Sequence, residues 1–139
     1  LRAADLGVHH HTDAGALTLL LQDHVGGLQV YTRDHWHDIP PVEGAMVVNT
    51  GDMMQVWSND IYQAAIHRVL AMKSQDRFSI PFFFNPAAGT TVEPLPSTVA
   101  AGRPSRYRPV DWAEFRGRRT DGDYADYGPE VQISHYRRQ

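Results

Sequence analysis

The alternation of apolar and polar positions along the first part of the chain predicts short β-strands. Leu6 to Asp13 is interpreted as one strand. The Leu-rich run from Ala16 to Gln22 is continuous, which suits a strand buried on both sides or a buried helical turn. Leu28 to Tyr31 and Trp36 to Ile39 flank the polar turn Thr32 to His35 and predict a hairpin.

Three further strands are predicted in the middle of the chain, over 45–49, 66–72 and 77–84. Pro81 lies within the last of them and cannot donate to a ladder, which indicates an edge strand or a bulge. Lys73 to Asp76 is the polar turn before that strand, and Asn59-Asp60 predicts a turn with positive φ.

Helical signals are few. Met53 to Ser58 predicts about one turn of helix, with Met54 and Trp57 at helical spacing and expected in the core. A second short helix is predicted over 111–119, capped by Asp111 and with Arg118-Arg119 at its negative end.

The remaining C-terminal segments carry weaker patterns. The run 85–104 is rich in Pro, Gly, Ala and Thr and predicts a loop. A turn-rich tail over 122–128 and an extended segment or strand over 131–136 are expected to follow the helix. Several short strands at close spacing, without an internal repeat, favour an all-β sandwich in one domain.

Composition agrees with a globular domain and excludes several classes of protein. At 139 residues the chain is long enough to bury a core, and its 42% hydrophobic and 21% charged residues are ordinary for a folded protein. No apolar run approaches the ~18 residues of a transmembrane helix. There is no cysteine, which excludes disulfides and thiolate sites and fits a cytoplasmic protein.

The net charge of −3 supplies no basic field of the kind that attracts nucleic acid. Most arginines lie from Arg103 onward, where aspartates and glutamates nearly balance them. This pattern predicts a solvated face of mixed charge, so neither nucleic acid nor a membrane is expected as a partner.

His11-Thr12-Asp13 is the stretch with the clearest chemistry. In a strand, side chains alternate between faces, so His11 and Asp13 are expected to share one patch. With a second imidazole they would form the 2-His-1-carboxylate triad that holds Fe(II). His67 is the candidate, although the residues alone also fit a hydrogen-bonded histidine at a strand end. The alternative pair His9 and His11, with Asp13 behind them, is equally open by register.

The order of several short motifs resembles the C-terminal oxygenase half of the isopenicillin N synthase-like group of Fe(II)/2-oxoglutarate-dependent dioxygenases. The resemblance is close over about 6–86 and looser beyond. It rests on stretches that share a position and order with that family: His11-Thr12-Asp13, Gly26-Gly27-Leu28-Gln29-Val30, Val48-Asn49-Thr50-Gly51-Asp52, His67-Arg68-Val69 and Arg77-Phe78-Ser79 followed by Ile80-Pro81-Phe82-Phe83-Phe84.

The resemblance implies a double-stranded β-helix, or jelly roll, with a short C-terminal helix. It implies Fe(II) on His11, Asp13 and His67, leaving His9 and His10 at the pocket rim or exposed. Arg77 and Ser79 would bind the far carboxylate of 2-oxoglutarate, for which an arginine fork and a hydroxyl are suited.

The expected reaction is hydroxylation or desaturation of a small organic molecule with dioxygen, releasing succinate and carbon dioxide. Phe83 is nominated to touch the substrate, with packing in the core as its alternative, and ascorbate is a further expected cofactor. Two rival functions stay open: a 2-oxoglutarate-independent oxidase or ethylene-forming enzyme on the same scaffold, and a jelly-roll module that binds metal or ligand without redox chemistry.

The resemblance also implies more chain before Leu1, since the family has an early strand and a helical region there. The expected organisation is therefore one catalytic domain over 1–139, with a core of about 6–86, a C-terminal extension over 87–139 and an absent N-terminal region.

Overall fold

A computed structural model describes residues 6–72, 74–124 and 130–139. The strands of this part of the chain are Leu6–His11 (β1), Leu17–Gln22 (β2), Leu28–Thr32 (β3), His35–Asp38 (β4), Val47–Thr50 (β5), His67–Leu70 (β6), Ser79–Phe84 (β7), Thr91–Val92 (β8) and Val110–Asp111 (β9). The α-helices are Asp52–Trp57 (α1) and Trp112–Tyr124 (α2), and 3-10 helices cover Pro96–Thr98 and Ile133–Tyr136.

Two antiparallel sheets form a jelly roll, which confirms the predicted fold class. One sheet has the order β1-β6-β3-β4 and the other the order β5-β2-β7, while β8 and β9 pair separately. Apart from the β3–β4 pair, neighbours in these two sheets are not consecutive in sequence, as in β1 with β6 and β2 with β7. Residues far apart in the chain are thereby brought to the same end of the sandwich.

The predicted hairpin is confirmed as β3 and β4. Arg33 and Asp34 connect the two strands with φ of 50° and 65°. Positive φ at both central residues is the two-residue turn whose twist matches that of the flanking strands. The turn at Asn59 and Asp60 is confirmed in the same way, with φ of 52° and 68°.

The run Ala16 to Gln22 is resolved in favour of a strand. β2 lies in the middle of its sheet, between β5 and β7, but the prediction that it is buried on both sides is wrong, since Thr18 is its one buried residue and Leu21 is 47% exposed. Pro81 lies opposite Leu20 on β7, and β7 is an edge strand, as the proline predicted.

The packed core lies between α1 and the C-terminal extension. From α1 it takes Met53 and Val56. Trp57, predicted to pack in the core, packs against this cluster as a partly buried neighbour, whereas the same prediction for Met54 is wrong. The other members all follow residue 87: Val92, Tyr107, Val110, Trp112, Phe115, Val131 and Ile133.

The C-terminal extension is more ordered than its composition suggested. The predicted loop over 85–104 contains β8 and a 3-10 helix. Asp111 caps α2 as expected, since its Oδ1 accepts a hydrogen bond of 2.8 Å from the backbone N–H of Glu114. However, α2 continues to Tyr124, five residues beyond the predicted end and into the predicted turn.

The final predicted strand is wrong. Ile133–Tyr136 is a 3-10 helix, because the side chains of Gln132 and His135 cap its first turn reciprocally. The predicted turn over 73–76 and the predicted tail over 122–128 lie partly outside the described residues, which leave out 73 and 125–129. Within the described ranges, no helix is both long and apolar enough to cross a bilayer.

Candidate metal centre

His11, Asp13 and His67 meet at one end of the sandwich. His11 ends β1 and His67 begins β6, and the two are direct cross-strand partners. One ligand atom from each of the three residues lies within 4.8 Å of the others. Asp13 Oδ1 is 3.6 Å from Nε2 of His11 and 3.7 Å from Nε2 of His67. Among the described residues, this is the one histidine and carboxylate cluster of a size to hold a metal ion.

The proximity of His11 and Asp13 does not arise from a shared strand, contrary to the prediction. β1 ends at His11, so Asp13 does not belong to the strand that was predicted to reach it. Asp13 lies in the turn after the strand, and its backbone carbonyl accepts a hydrogen bond of 2.8 Å from the N–H of Asp52. The two side chains share a patch because this turn is anchored to α1.

Each imidazole is oriented by a backbone carbonyl two residues earlier. Nδ1 of His11 donates to the carbonyl of His9 at 2.8 Å, and Nδ1 of His67 donates to that of Ala65 at 2.9 Å. A carbonyl oxygen can only accept, so Nδ1 carries a proton in both rings; in the neutral form of each ring the lone pair is then on Nε2, which faces Asp13. His9 and His10 have exposed side chains, as expected of rim residues.

The carboxylate of Asp13 is held in a similar way. Its Oδ2 accepts hydrogen bonds from the hydroxyl of Thr18 at 2.5 Å and from Nδ2 of Asn49 at 2.9 Å. The remaining oxygen, Oδ1, faces the two imidazoles. Each of the three side chains therefore points one potential metal-ligand atom toward the same position.

The protonation of the cluster suits a cation. Burial by itself raises the pKa of Asp13, but contacts with His11, Asn49 and Thr18 outweigh burial and hold that pKa well below its ordinary value. The neighbouring Asp13 carboxylate raises the pKa of His11. Two imidazole nitrogens and one ionised oxygen on one side of a point, with the other side open, fit octahedral Fe(II) by the chemistry of the donor set.

A cavity of about 260 Å³ extends from this cluster between the two sheets. His11, Asp13 and His67 lie at one end of it, and Arg77 and Ser79 line it as well. Its walls are apolar side chains from both sheets: Val8, Leu20, Leu28, Val30, Val47 and Val69. Such a cavity suits an elongated molecule with a polar group at each end.

Arg77 is fixed by three acceptors. Nε donates to the carbonyl of Gly26 at 2.7 Å, Nη1 to Oγ of Ser79 at 3.0 Å, and Nη2 to Oε1 of Gln22 at 3.2 Å. Arg77 precedes β7 instead of lying within it, yet it reaches Ser79 directly. None of these acceptors is a carboxylate, so the guanidinium charge is suited to an anion in the cavity.

Phe83 lines the same cavity and is half exposed, at 50%. It also borders a smaller cavity of about 150 Å³ on the other side of His11 and Asp13. The alternative interpretation of Phe83 was packing in the core, and a half-exposed side chain that borders two cavities does not fit that interpretation.

The sequence interpretation missed Thr18, Asn49 and Arg119. Thr18 and Asn49 are cross-strand partners on β2 and β5, and a polar residue inside a leucine run was the available signal for Thr18. Arg119 was assigned to a solvated face, but only 2% of it is exposed. Burial raises the pKa of its partner Asp52 to about 6, although the positive charge of Arg119 opposes that rise.

The sequence model of the 2OG-Fe(II) oxygenase superfamily matches residues 2–86. This range includes all six residues to which a site role was assigned: His11, Asp13, His67, Arg77, Ser79 and Phe83. The chain is 46% identical over 112 residues to a bi-functional coumaroyl CoA and feruloyl CoA ortho-hydroxylase of Ipomoea batatas. That match covers 79% of the chain but 31% of the relative, so the chain spans about a third of its length.

Solved structures agree with the jelly roll. A crystal structure of JOX2 in complex with 2OG, Fe and JA has a TM-score of 0.83 at 31% identity, covering 96% of this chain and 39% of that one. The dioxygenase for auxin oxidation from rice has a TM-score of 0.84 at 31% identity, covering 96% of this chain and 46% of that one.

Proposed function

Because this chain belongs to the 2OG-Fe(II) oxygenase superfamily, we propose that it is the iron-binding part of an oxygenase. The proposed reaction uses Fe(II), dioxygen and 2-oxoglutarate to hydroxylate or desaturate a small organic molecule. One observation carries the proposal: Asp13 Oδ1 and two imidazole Nε2 atoms converge at a cavity that Arg77 and Ser79 also line.

His11, Asp13 and His67 are the proposed ligands of Fe(II). The support is that the atom of each side chain that does not face the cluster is already engaged by the protein. Such partners fix the orientation of ligands and raise metal affinity. The ionised Asp13 also partly neutralises a divalent ion in a buried site.

Arg77 and Ser79 are the proposed anchor of the far carboxylate of 2-oxoglutarate. The guanidinium is oriented by Gly26 and Gln22, which reduces the entropy that binding would otherwise cost. When bound, the iron and the 2-oxo acid would allow dioxygen to act as the oxidant: one oxygen atom would go into succinate as the 2-oxo acid loses carbon dioxide, and the other would be available to oxidise the substrate.

Phe83 is the proposed contact with the organic substrate, since it borders both cavities beside the cluster. Residues 1–139 are proposed to act as one catalytic domain, because most core side chains come from the extension after residue 87. Ascorbate as a further cofactor and a cytoplasmic location stay predictions.

The proposal is tested by anaerobic titration of the Fe(II)-loaded chain with 2-oxoglutarate. A weak visible charge-transfer band from the chelated 2-oxo acid is expected in the wild type and should be lost in Asp13→Ala. Asp38→Ala is the control, since Asp38 is an exposed carboxylate whose Oδ1 accepts a hydrogen bond from Gln29. Iron binding without a band would favour a 2-oxoglutarate-independent oxidase, and equal behaviour of all three proteins would contradict the assigned ligands.

A further inference from the structure

Arg119 is a buried arginine on α2 that contacts the residue between two proposed ligands. Its Nη2 donates hydrogen bonds of 2.8 Å to both the carbonyl oxygen and the hydroxyl of Thr12. Arg116 and Arg118 on the same helix are exposed. Burying a guanidinium is unfavourable unless its donors are satisfied, so the conformation of Arg119 depends on these partners.

The other donors of Arg119 connect Thr12 to two more segments. Nε forms an ion pair of 2.7 Å with Glu130, and Nη1 donates to the carbonyl of Val131 at 2.9 Å. Nη2 also lies 3.4 Å from Oδ2 of Asp52 at the start of α1. One planar group thus joins the turn after β1, helix α1 and the C-terminal tail.

The sheet does not hold this turn by itself. The β1–β6 ladder ends at the pair His11 and His67, so Thr12 and Asp13 have no strand partner. A peptide unit is planar, so the direction of the Thr12 carbonyl sets the plane from which the Asp13 side chain departs. The contact that fixes this carbonyl comes from 107 residues further along the chain.

We propose that Arg119 is a positioning residue that holds Thr12 and thereby sets the angle between His11 and Asp13 at the metal site. The inference rests on the proposed function, because it takes these two residues as metal ligands. It makes the C-terminal extension a determinant of metal affinity, although none of the proposed ligands comes from that extension.

The test is anaerobic titration of the 139-residue chain with Co(II), followed by its visible d–d absorption, which reports both affinity and ligand geometry. Arg119→Gln is expected to weaken Co(II) binding about 10- to 100-fold, the usual effect of removing an orienting partner, and to change the shape of the spectrum. Arg119→Lys retains the positive charge and one donor nitrogen, so it should recover part of the Co(II) affinity that Arg119→Gln loses. Thr12→Val removes the hydroxyl, which accepts from Arg119 and also contacts Asp52, but it keeps the Thr12 carbonyl as an acceptor, so a loss of about three- to tenfold is expected.

Val110→Ala is the matched control. Val110 on β9 is a fully buried member of the core cluster that also contains Phe115, and it is not among the partners of Arg119 named above. Val110→Ala should lower the melting temperature while leaving the Co(II) dissociation constant within twofold of wild type. Phe115 is unsuitable as a control because its ring lies 5.9 Å from the guanidinium of Arg119.

The results distinguish a failure of the positioning role from a failure of the proposed function. Arg119→Gln and Thr12→Val that both fold and bind within twofold of wild type would overturn the positioning role, as would an equal loss in Val110→Ala. If Arg119→Gln does not fold, the comparison of Thr12→Val with Val110→Ala decides alone. A wild type that binds Co(II) no better than Asp13→Ala would instead overturn the proposed function.

Discussion

Thr18 and Asn49 lie opposite each other on β2 and β5, and both donate to the same oxygen, Oδ2 of Asp13. Two neighbouring strands of one sheet thus orient a carboxylate that projects toward two histidines of the other sheet. The distances between the three proposed ligands therefore depend on the relative position of the two sheets.

Removing either donor should weaken metal binding. In Thr18→Val or Asn49→Leu, Oδ2 loses one partner, so the pKa of Asp13 rises toward its ordinary value and the carboxylate gains freedom to rotate. We expect the dissociation constant for Co(II) to rise about tenfold or more, measured by titration at neutral pH. Thr91→Val, at the exposed position of β8, should have no effect, and an equal change in that variant would contradict this role.

Replacing Arg77 by lysine should separate cosubstrate binding from metal binding. Lysine retains the charge but cannot donate in a fork to a carboxylate while also bonding Gly26 and Gln22. The dissociation constant of 2-oxoglutarate is expected to rise about tenfold or more, and that of Co(II) to stay unchanged.

Arg68→Lys is the matched control for that measurement. Arg68 bonds Gln29 and lies 3.9 Å over the ring of Trp36, and it is not among the residues that line the cavity. If Arg68→Lys weakens 2-oxoglutarate binding as much as Arg77→Lys does, the assignment of Arg77 is wrong.

Gly51→Ala should damage the site through backbone crowding. A Cβ at Gly51 would lie 2.4 Å from the carbonyl oxygen of Gly15 and 2.7 Å from that of Asp13. Neither backbone atom is free to move far, so we expect a loss of about 1–3 kcal/mol in the free energy of unfolding together with weaker Co(II) binding. Chemical denaturation measures the first, and Gly102→Ala, where nothing lies within 4 Å, should leave both unchanged.

Asp60 should link the stability of the extension to pH. Its buried carboxylate accepts from the hydroxyl of Tyr107 and from two guanidinium nitrogens of Arg137 at 2.8 and 3.0 Å. Burial raises the pKa of Asp60, but these contacts and Arg106 outweigh burial and leave its pKa below its ordinary value. A lowered carboxylate pKa stabilises the fold above the unfolded value, and this stabilisation is lost as the pH falls through the folded value.

The expected result is that Asp60→Asn costs about 1–3 kcal/mol at pH 7, with part of each ion pair discounted because Arg137 is 42% exposed. The difference from wild type should shrink below about pH 4, as followed by urea denaturation at several pH values. A constant difference down to pH 2 would contradict the assignment of the effect to ionised Asp60.

Local elements of the fold were predictable because their causes are local. The turn at Asn59-Asp60 has positive φ because asparagine and aspartate tolerate that conformation. Asp111 caps α2 by accepting a hydrogen bond from the backbone N–H three positions later. The end of β1 was not predictable from residues 6–13, because the strand stops where Thr12 and Asp13 find partners elsewhere in the fold.

The sequence by itself determined the chemical types at the site, the all-β class and the family, because periodicity, turn residues and ordered motifs are properties of neighbouring positions. Only the tertiary structure decided which oxygen of Asp13 faces the histidines, that Arg119 is buried and that the core lies between α1 and the extension. The physical reason is that burial and hydrogen-bond satisfaction are settled between segments as distant as Thr12 and Arg119. Arg119 lies among charged residues in the chain, and nothing in that local sequence indicates that its side chain is buried against polar partners.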